Sequence, residues 1–253
     1  MLRLDHITVG YGKQAVLRDL SLVIARGMLI SIIGPNGCGK STLLKATIGH
    51  IPLASGEITL DGRSLSVLSR TDIAKAAAYL AQGKAMPDMT VGQMVLHGRF
   101  PHLSYPRRYA ARDREIARAA MMRAGVDAFA EKPLAELSGG MRQSAYLAMA
   151  LAQDTPYILL DEPTTYLDVA HGVGLMRLLK VLAGEGRGIV AVMHDLPLAF
   201  AFSDCIAVMN EGRIEAVGTP EEICKSDIVE RIFGVALCRD ANGEYTHQLS
   251  KMK

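Results

Sequence analysis

Apolar and polar residues alternate over residues 2–9 (Leu2, Leu4, Ile7, Val9) and again over 16–24 (Val16, Leu20, Leu22, Ile24), with Gly10, Tyr11, Gly12 and Lys13 between the two stretches. A period of two predicts half-buried strands, and the glycines predict the turn that joins them into an antiparallel pair. The pattern then changes. Leu29–Ile33 is almost wholly apolar, the mark of a strand covered on both faces, and Leu43, Leu44 and Ile48 follow at helical spacing. Residues 56–62 read as a strand and turn, and 73–79 lead into a strand ending at Gln82. From Gly83 to about Leu137 helical periodicity replaces strands, methionines accumulate (Met86, Met89, Met94, Met121, Met122), and a proline-bounded loop runs from Gly98 to Pro106. A strong helix is expected over 141–153, a buried strand over 157–161, a helix over 173–183 and a further strand over 188–193. After these come a hairpin about Asn210–Gly212, a helical stretch over 221–233 and a second hairpin about Asn242 and Gly243. The order predicts an α/β core (1–82 and 155–222) containing an antiparallel β part, an inserted helical segment (83–154) and a short C-terminal extension (223–253), too small for a regulatory domain.

Composition narrows the class. The 253 residues, 49% hydrophobic, suffice for a large core without staples. A net charge of +2 with both signs dispersed predicts no nucleic-acid surface, and the local cluster Arg107, Arg108, Arg112, Arg114 reads as a solvated helix face. Cys38, Cys205, Cys224 and Cys238 have neither zinc spacing nor a disulfide framework, which suits a reducing compartment. No basic-then-apolar leader opens the chain, and no apolar run approaches the ~18 residues needed to cross a bilayer, so any dealing with a membrane is expected to pass through a partner.

The chemistry concentrates after the apolar strand at Ile33. Gly34-x-x-x-x-Gly39-Lys40-Ser41 stands between a strand and a helix, the setting a phosphate-binding loop requires. Gly34, Gly37 and Gly39 let backbone N–H groups close on polyphosphate oxygens, and the helix N-terminus adds partial positive charge. Lys40 supplies a point charge to the β- and γ-phosphates and Ser41 a hydroxyl to Mg2+. Farther along, Ser138 is a good N-cap, and Gly139 and Gly140 leave the first N–H groups of their helix open to an anion. One chain thus holds two phosphate-grade sites. The strand 157–161 ends in paired carboxylates: Asp161 to hold Mg2+ through water or Ser41, and Glu162 to act as general base on the attacking water. Gln82, at a strand end, is placed to ligate Mg2+ or orient water, and His194 to hydrogen-bond a γ-phosphate. Tyr11, between two glycines, is placed either to lie against an adenine or to cap a sheet edge.

With every motif in order over essentially the whole chain, the sequence resembles the ATP-binding subunits of ABC transporters. The phosphate loop is Gly34, Pro35, Asn36, Gly37, Cys38, Gly39, Lys40, Ser41 and Thr42. Gln82 matches the Q-loop, Leu137–Met141 the signature, Asp161 and Glu162 the catalytic strand end, Asp168 the D-loop and His194 the switch histidine. Tyr11 matches the family's adenine-stacking aromatic, which favours the first of its two readings. The resemblance implies a P-loop NTPase (RecA-like) core, ATP and Mg2+ as ligands, and a head-to-tail dimer. In that dimer Ser138, Gly139 and Gly140 of one copy, with Asp168 at the interface, close on the nucleotide held by Lys40 of the other. It further implies an integral membrane permease, a substrate-binding protein acting through it, and a position on the cytoplasmic face of the membrane.

Val91 together with Gly98-Arg99-Phe100-Pro101-His102-Leu103 resembles the importers of iron–siderophore, haem and cobalamin, with iron chelate the first choice of cargo. Two departures stand out. Met141 and Ser144 replace the usual Gln and basic residue of the signature, with the phosphate-facing Ser138–Gly140 intact. Cys38 replaces the usual serine of the loop, and a thiol beside a helix N-terminus tends toward thiolate, so alkylation at Cys38 is expected to block ATP and MgATP to protect it. The rival readings are a soluble ABC ATPase acting on a nucleic-acid or ribosome complex, which usually carries fused cassettes or a long coiled coil, and a nucleotide-gated module without turnover, disfavoured by Glu162 and His194.

Overall fold

The computed structural model describes residues 1–12, 14–83, 87–165, 167–239 and 245–249. The two alternating segments form β1 (Leu2–Tyr11) and β2 (Gln14–Ile24). They pair antiparallel, and β4 (Ser55–Leu60) and β5 (Arg63–Ser64) complete a sheet of order β2-β1-β4-β5. Within the expected first turn, Lys13 lies outside the described residues.

A second sheet carries the site. Its order is β10 (Arg213–Gly218), β9 (Cys205–Asn210), β3 (Leu29–Ile33), β8 (Gly188–Val192), β7 (Tyr157–Asp161), β6 (Ala77–Leu80), parallel except for β10 at one edge. The continuous apolar runs are explained by where alternate side chains go. Leu29, Ile33, Ile158, Leu160, Ile189 and Ala191 face a core shared with the helices. Ile30, Ile32, Tyr157, Leu159, Val190 and Val192 face a second core, closed by the antiparallel sheet and by α1 (Lys40–Thr47). Covered on both sides, these strands have no polar face to show.

Between β6 and β7 the chain is helical: α3 (Val91–His97), α4 (Ala111–Arg123) and α5 (Gly139–Ala152), joined by short 3₁₀ turns. The stretch Gly98–Leu103 turns out to be the C-terminal fastening of α5. Arg99, only 7% exposed, donates from Nη1 to Ala152 O at 2.9 Å and from Nε to Asp113 at 3.1 Å, and His102 Nε2 bonds Gln153 O at 2.8 Å. Side chains thereby satisfy carbonyls that a helix end leaves orphaned. Gly98 is required there because a Cβ would lie 2.3 Å from Met149 O.

Several boundaries shift for local reasons. The strand before Gln82 stops at Leu80. The helix expected over 173–183 is α6 (Val169–Gly184), started early because Asp168 Oδ1 caps it by accepting from His171 N at 2.9 Å. A further helix, α7 (Leu196–Phe202), follows β8 under an Asp195 cap. The stretch 221–233 is two helices, α8 (Pro220–Lys225) and α9 (Ile228–Phe233), because Ser226 Oγ donates back to Ile223 O and closes the first. The final hairpin is β11 (Val235–Arg239) with β12 (Tyr245–Leu249); Asn242 and Gly243, its expected turn, lie outside the described residues. Ile228, Val229 and Leu237 join the same core as β3.

Candidate functional site

Four neighbouring strands, β3, β8, β7 and β6, end on one edge of the parallel sheet, where open α/β sheets present their ligand sites. After β3 the loop turns through Gly37 (φ 77°) and Gly39 (φ 107°) into α1, and Gly39 serves as the helix N-cap in a left-handed conformation. A cavity of about 180 Å³ opens there, lined by Val16, Asn36, Gly37, Gly39, Lys40, Ser41, Thr42 and Glu162. Lys40 is only 5% exposed; its ammonium folds over the loop, donating to Gly34 O at 2.7 Å and Pro35 O at 2.9 Å. A buried cation bonded only to carbonyls, above a cradle open enough that a Cβ at Gly37 would meet nothing within 4 Å, fits a polyphosphate.

At the end of β7, Asp161 is 4% exposed and both its oxygens are engaged. Ser41 Oγ donates to Oδ1 at 3.0 Å and Tyr79 OH to Oδ2 at 3.1 Å. Burial pushes the Asp161 carboxyl above the usual carboxylate range, against the pull of those two bonds. Burial, helped by Asp161, raises the Tyr79 hydroxyl as well, so Tyr79 remains the donor of the pair. A hydroxyl and one carboxylate are the hard oxygen donors that suit Mg2+. Among the described residues no group of three His, Cys, Asp or Glu gathers to hold a metal without further ligands, so a cation here depends on nucleotide oxygens too.

Glu162 leaves the strand at φ 52°, a left-handed conformation unusual for a side chain with a Cβ and one that concentrates at functional sites. Its carboxylate accepts from three directions. His194 Nε2, following β8, bonds Oε1 at 2.5 Å, and Gln82 Nε2, following β6, donates to Oε2 at 2.5 Å. Thr165 Oγ1 also donates to Oε2, at 3.1 Å. A carboxylate only accepts, so the His194 proton sits on Nε2. Gln82 therefore addresses Glu162 in this state, and its amide nitrogen does not point to the Ser41–Asp161 pair.

Ser138 caps α5, accepting from Met141 N at 3.3 Å, and leaves Gly139 and Gly140 at the helix start. Among the described residues lining the Lys40 cavity, neither Ser138 nor its glycines appear; Gly139 instead borders a separate cavity of about 210 Å³ with Gln82, Gln143 and Glu162. Met141 packs against the helical core, while Gln143 supplies a polar contact, Nε2 to Pro163 O at 3.0 Å. Tyr11 closes β1 with 57% of its surface exposed, free to meet a flat ligand, and Asp168 sits at the start of α6.

Cys38 departs from expectation. The residue is 7% exposed and packs in the core beneath the loop with Leu17 and Met209, and burial pushes its thiol up, away from thiolate. Its Sγ would stand 2.8 Å from a Cβ at Gly34, so the thiol fills space under the cradle. In the folded chain at neutral pH, iodoacetamide is expected to modify Cys38 at least about tenfold more slowly than in denaturant; equal rates by peptide mass spectrometry would remove the burial argument.

The sequence reading missed Tyr79, Thr165 and Gln143. Tyr79 stands in the short apolar run Ala77–Leu80, and neither its reach nor its partner follows from that.

A family model described as ABC transporter matches residues 17–165. The chain is 41% identical over 236 residues to the ferric enterobactin transport ATP-binding protein FepC of Escherichia coli (strain K12), covering 92% of this chain and 87% of that one. Among solved structures it resembles a metal-chelate type ABC transporter in an inward-facing conformation, with a TM-score of 0.82 and 25% identity over 98% of this chain and 96% of the other. It also resembles a dimeric ATP-binding cassette bound to ADP and Pi after hydrolysis, with a TM-score of 0.76 and 29% identity over 87% of this chain and 99% of that one.

Proposed function

Because this chain belongs to the ABC transporter ATP-binding family, we propose that it powers uptake of an iron chelate, with haem and cobalamin the next choices of cargo, through a separate permease served by a substrate-binding protein. The observation that carries this reading is the joint one of Lys40, Ser41, Asp161 and Glu162 gathered at one edge of the parallel sheet and of 41% identity, over 92% of the chain, to a ferric enterobactin transport ATP-binding protein. Among the described residues no helix is long and apolar enough to cross a membrane. In the proposed reading, which rests on the likeness to importer ATP-binding subunits, a separate permease supplies the passage and this subunit sits peripherally on the cytoplasmic face.

In this reading Tyr11 stacks on the adenine, and the loop from Gly34 through Pro35, Asn36, Gly37, Cys38, Gly39 and Lys40 to Ser41 and Thr42 wraps the phosphates. Lys40 exchanges the Gly34 and Pro35 carbonyls for phosphate oxygens. Ser41 and Asp161, with Gln82 brought over from Glu162, would hold Mg2+, which when bound neutralises charge developing on the phosphates. Glu162 takes the proton of the attacking water. In the resting chain both its oxygens are already occupied, by His194 on one side and by Gln82 and Thr165 on the other. Hydrolysis then waits until nucleotide draws His194 and Gln82 away. The second wall comes from Ser138, Gly139 and Gly140 of a second copy, with Asp168 at the same interface.

The test is recovery of the tagged chain from detergent-solubilised membranes of its source cells. An integral membrane protein of many helices is expected to co-purify, with transport of a ferric chelate in vesicles holding the pair. Co-purification with ribosomes or nucleic acid in its place would favour the soluble-ATPase reading and defeat this one.

A further inference from the structure

Asp161 is held from two sides, and only one of the two donors belongs to the phosphate loop. Ser41 Oγ reaches Oδ1 at 3.0 Å, while Tyr79 OH reaches Oδ2 at 3.1 Å from β6, the edge strand of the sheet, where Tyr79 lies in register with Leu159 of β7. A carboxylate's terminal torsion is soft, and one hydrogen bond leaves it free to swing; two from opposite sides fix its plane. The Ser41 hydroxyl is also the group that must turn its oxygen toward a cation. The Tyr79 bond is the one that persists whichever way Ser41 faces.

The strand that presents Tyr79 is itself fastened. Gln153 Nε2, at the end of α5, donates to Ala74 O at 2.5 Å and to Ala77 O at 3.3 Å, clamping the junction where α2 (Arg70–Ala76) passes into β6. The ring of Tyr79 meets His50 edge-on, with centroids 6.1 Å apart, and forms one wall of a surface groove of about 350 Å³ with His50, Arg70 and Gln153. The far end of the same side chain touches the buried carboxylate. A ring needed only for packing would not have to place its hydroxyl there.

We propose that Tyr79 is a positioning residue: its hydroxyl sets the orientation of Asp161 and thereby the affinity of the Ser41–Asp161 pair for the divalent cation that accompanies the nucleotide. The inference rests on the metal reading given under Proposed function. Outer partners of metal-binding carboxylates characteristically act in this way, by orienting the ligand without touching the metal.

Tyr79→Phe removes one oxygen and keeps the ring against His50 and the groove. Binding of Mn2+ to the full chain, saturated with a non-hydrolysable ATP analogue, is read from the electron paramagnetic resonance signal of free Mn2+. The variant is expected to bind Mn2+ about tenfold more weakly than wild type, with analogue affinity in EDTA unchanged. In an Asp161→Asn background the same substitution is expected to add nothing, because the carboxylate it orients is gone. Mn2+ affinity within twofold of wild type would overturn the proposal, and so would an equal further loss in the Asp161→Asn background, since either outcome leaves Tyr79 with a packing role only. If the wild-type chain binds no Mn2+ with the analogue present, the metal reading itself fails and takes this inference with it; normal wild-type binding with an unaffected variant removes the inference alone.

Discussion

Glu162→Gln is expected to cut ATP hydrolysis by about a thousandfold, the scale of a lost general base, while ATP affinity stays within a few-fold of wild type and nucleotide-bound dimers accumulate. Geometry supports the split between binding and turnover. Glu162 lines the same cavity as Lys40 and Ser41, and in the proposed reading the grip on the phosphates comes from Lys40, Ser41 and the loop amides, not from Glu162. Glutamine keeps the length and one acceptor oxygen, so one side of residue 162 stays bonded. On the other its amide NH2 faces a donor, and Gln82 or His194 has to turn an acceptor toward it while the backbone stays in place. What disappears is the capacity to take a proton. Single-turnover hydrolysis, filter binding of ATP and size-exclusion chromatography with MgATP check the three parts. A variant that hydrolyses like wild type would transfer the base role elsewhere, with His194 the first candidate.

The second large effect comes from mixing two dead chains. Lys40→Ala removes the buried ammonium of the cradle, and Ser138→Arg places a bulky cation at the start of α5; each chain by itself is expected to fall to background hydrolysis. If Ser138 acts on a nucleotide held by another copy, a mixed dimer regains one site with both halves intact. Random pairing makes about half the dimers mixed, with one good site of two, so the mixture should recover up to about a quarter of wild-type activity. Closure within a single chain would give no recovery at any ratio. Ser138, Gly139 and Gly140 do not line the Lys40 cavity of their own chain, which is what makes the first outcome the expected one.

Much of this site could be read before the fold was known, because its chemistry is local. A loop such as Gly34–Ser41 or a strand ending in Asp161 and Glu162 states its purpose within a dozen residues, and strand ends in a parallel sheet converge on one edge. What escaped depends on distance through the chain. The Tyr79–Asp161 bond requires the register of β6 on β7, and Arg99 and His102 find Ala152 and Gln153 some fifty positions away. Residues 98–103 were legible as a family mark without their task being visible. Cys38 misled for a related reason: its place beside a helix start argued for thiolate, and only the packing of β2 and β9 over it shows that burial wins. Helix 173–183 began four residues early because a cap, Asp168, outranked the apolar period on which the boundary was based.

The fastening of α5 has a mechanical consequence. Its fourteen residues make a rod about 21 Å long, pinned at one tip by Arg99, His102 and Gln153 and carrying Ser138 at the other. A swing of about 15° around the pinned tip would carry the serine roughly 5 Å. An alanine-rich rod is stiff, so a slight tilt imposed at the anchored end arrives at the far end as a displacement as large as a bound water and a hydrogen bond together. Because α5 shares its buried face with α3 and α4, any such tilt would carry those helices with it, and its largest displacement would fall at the serine.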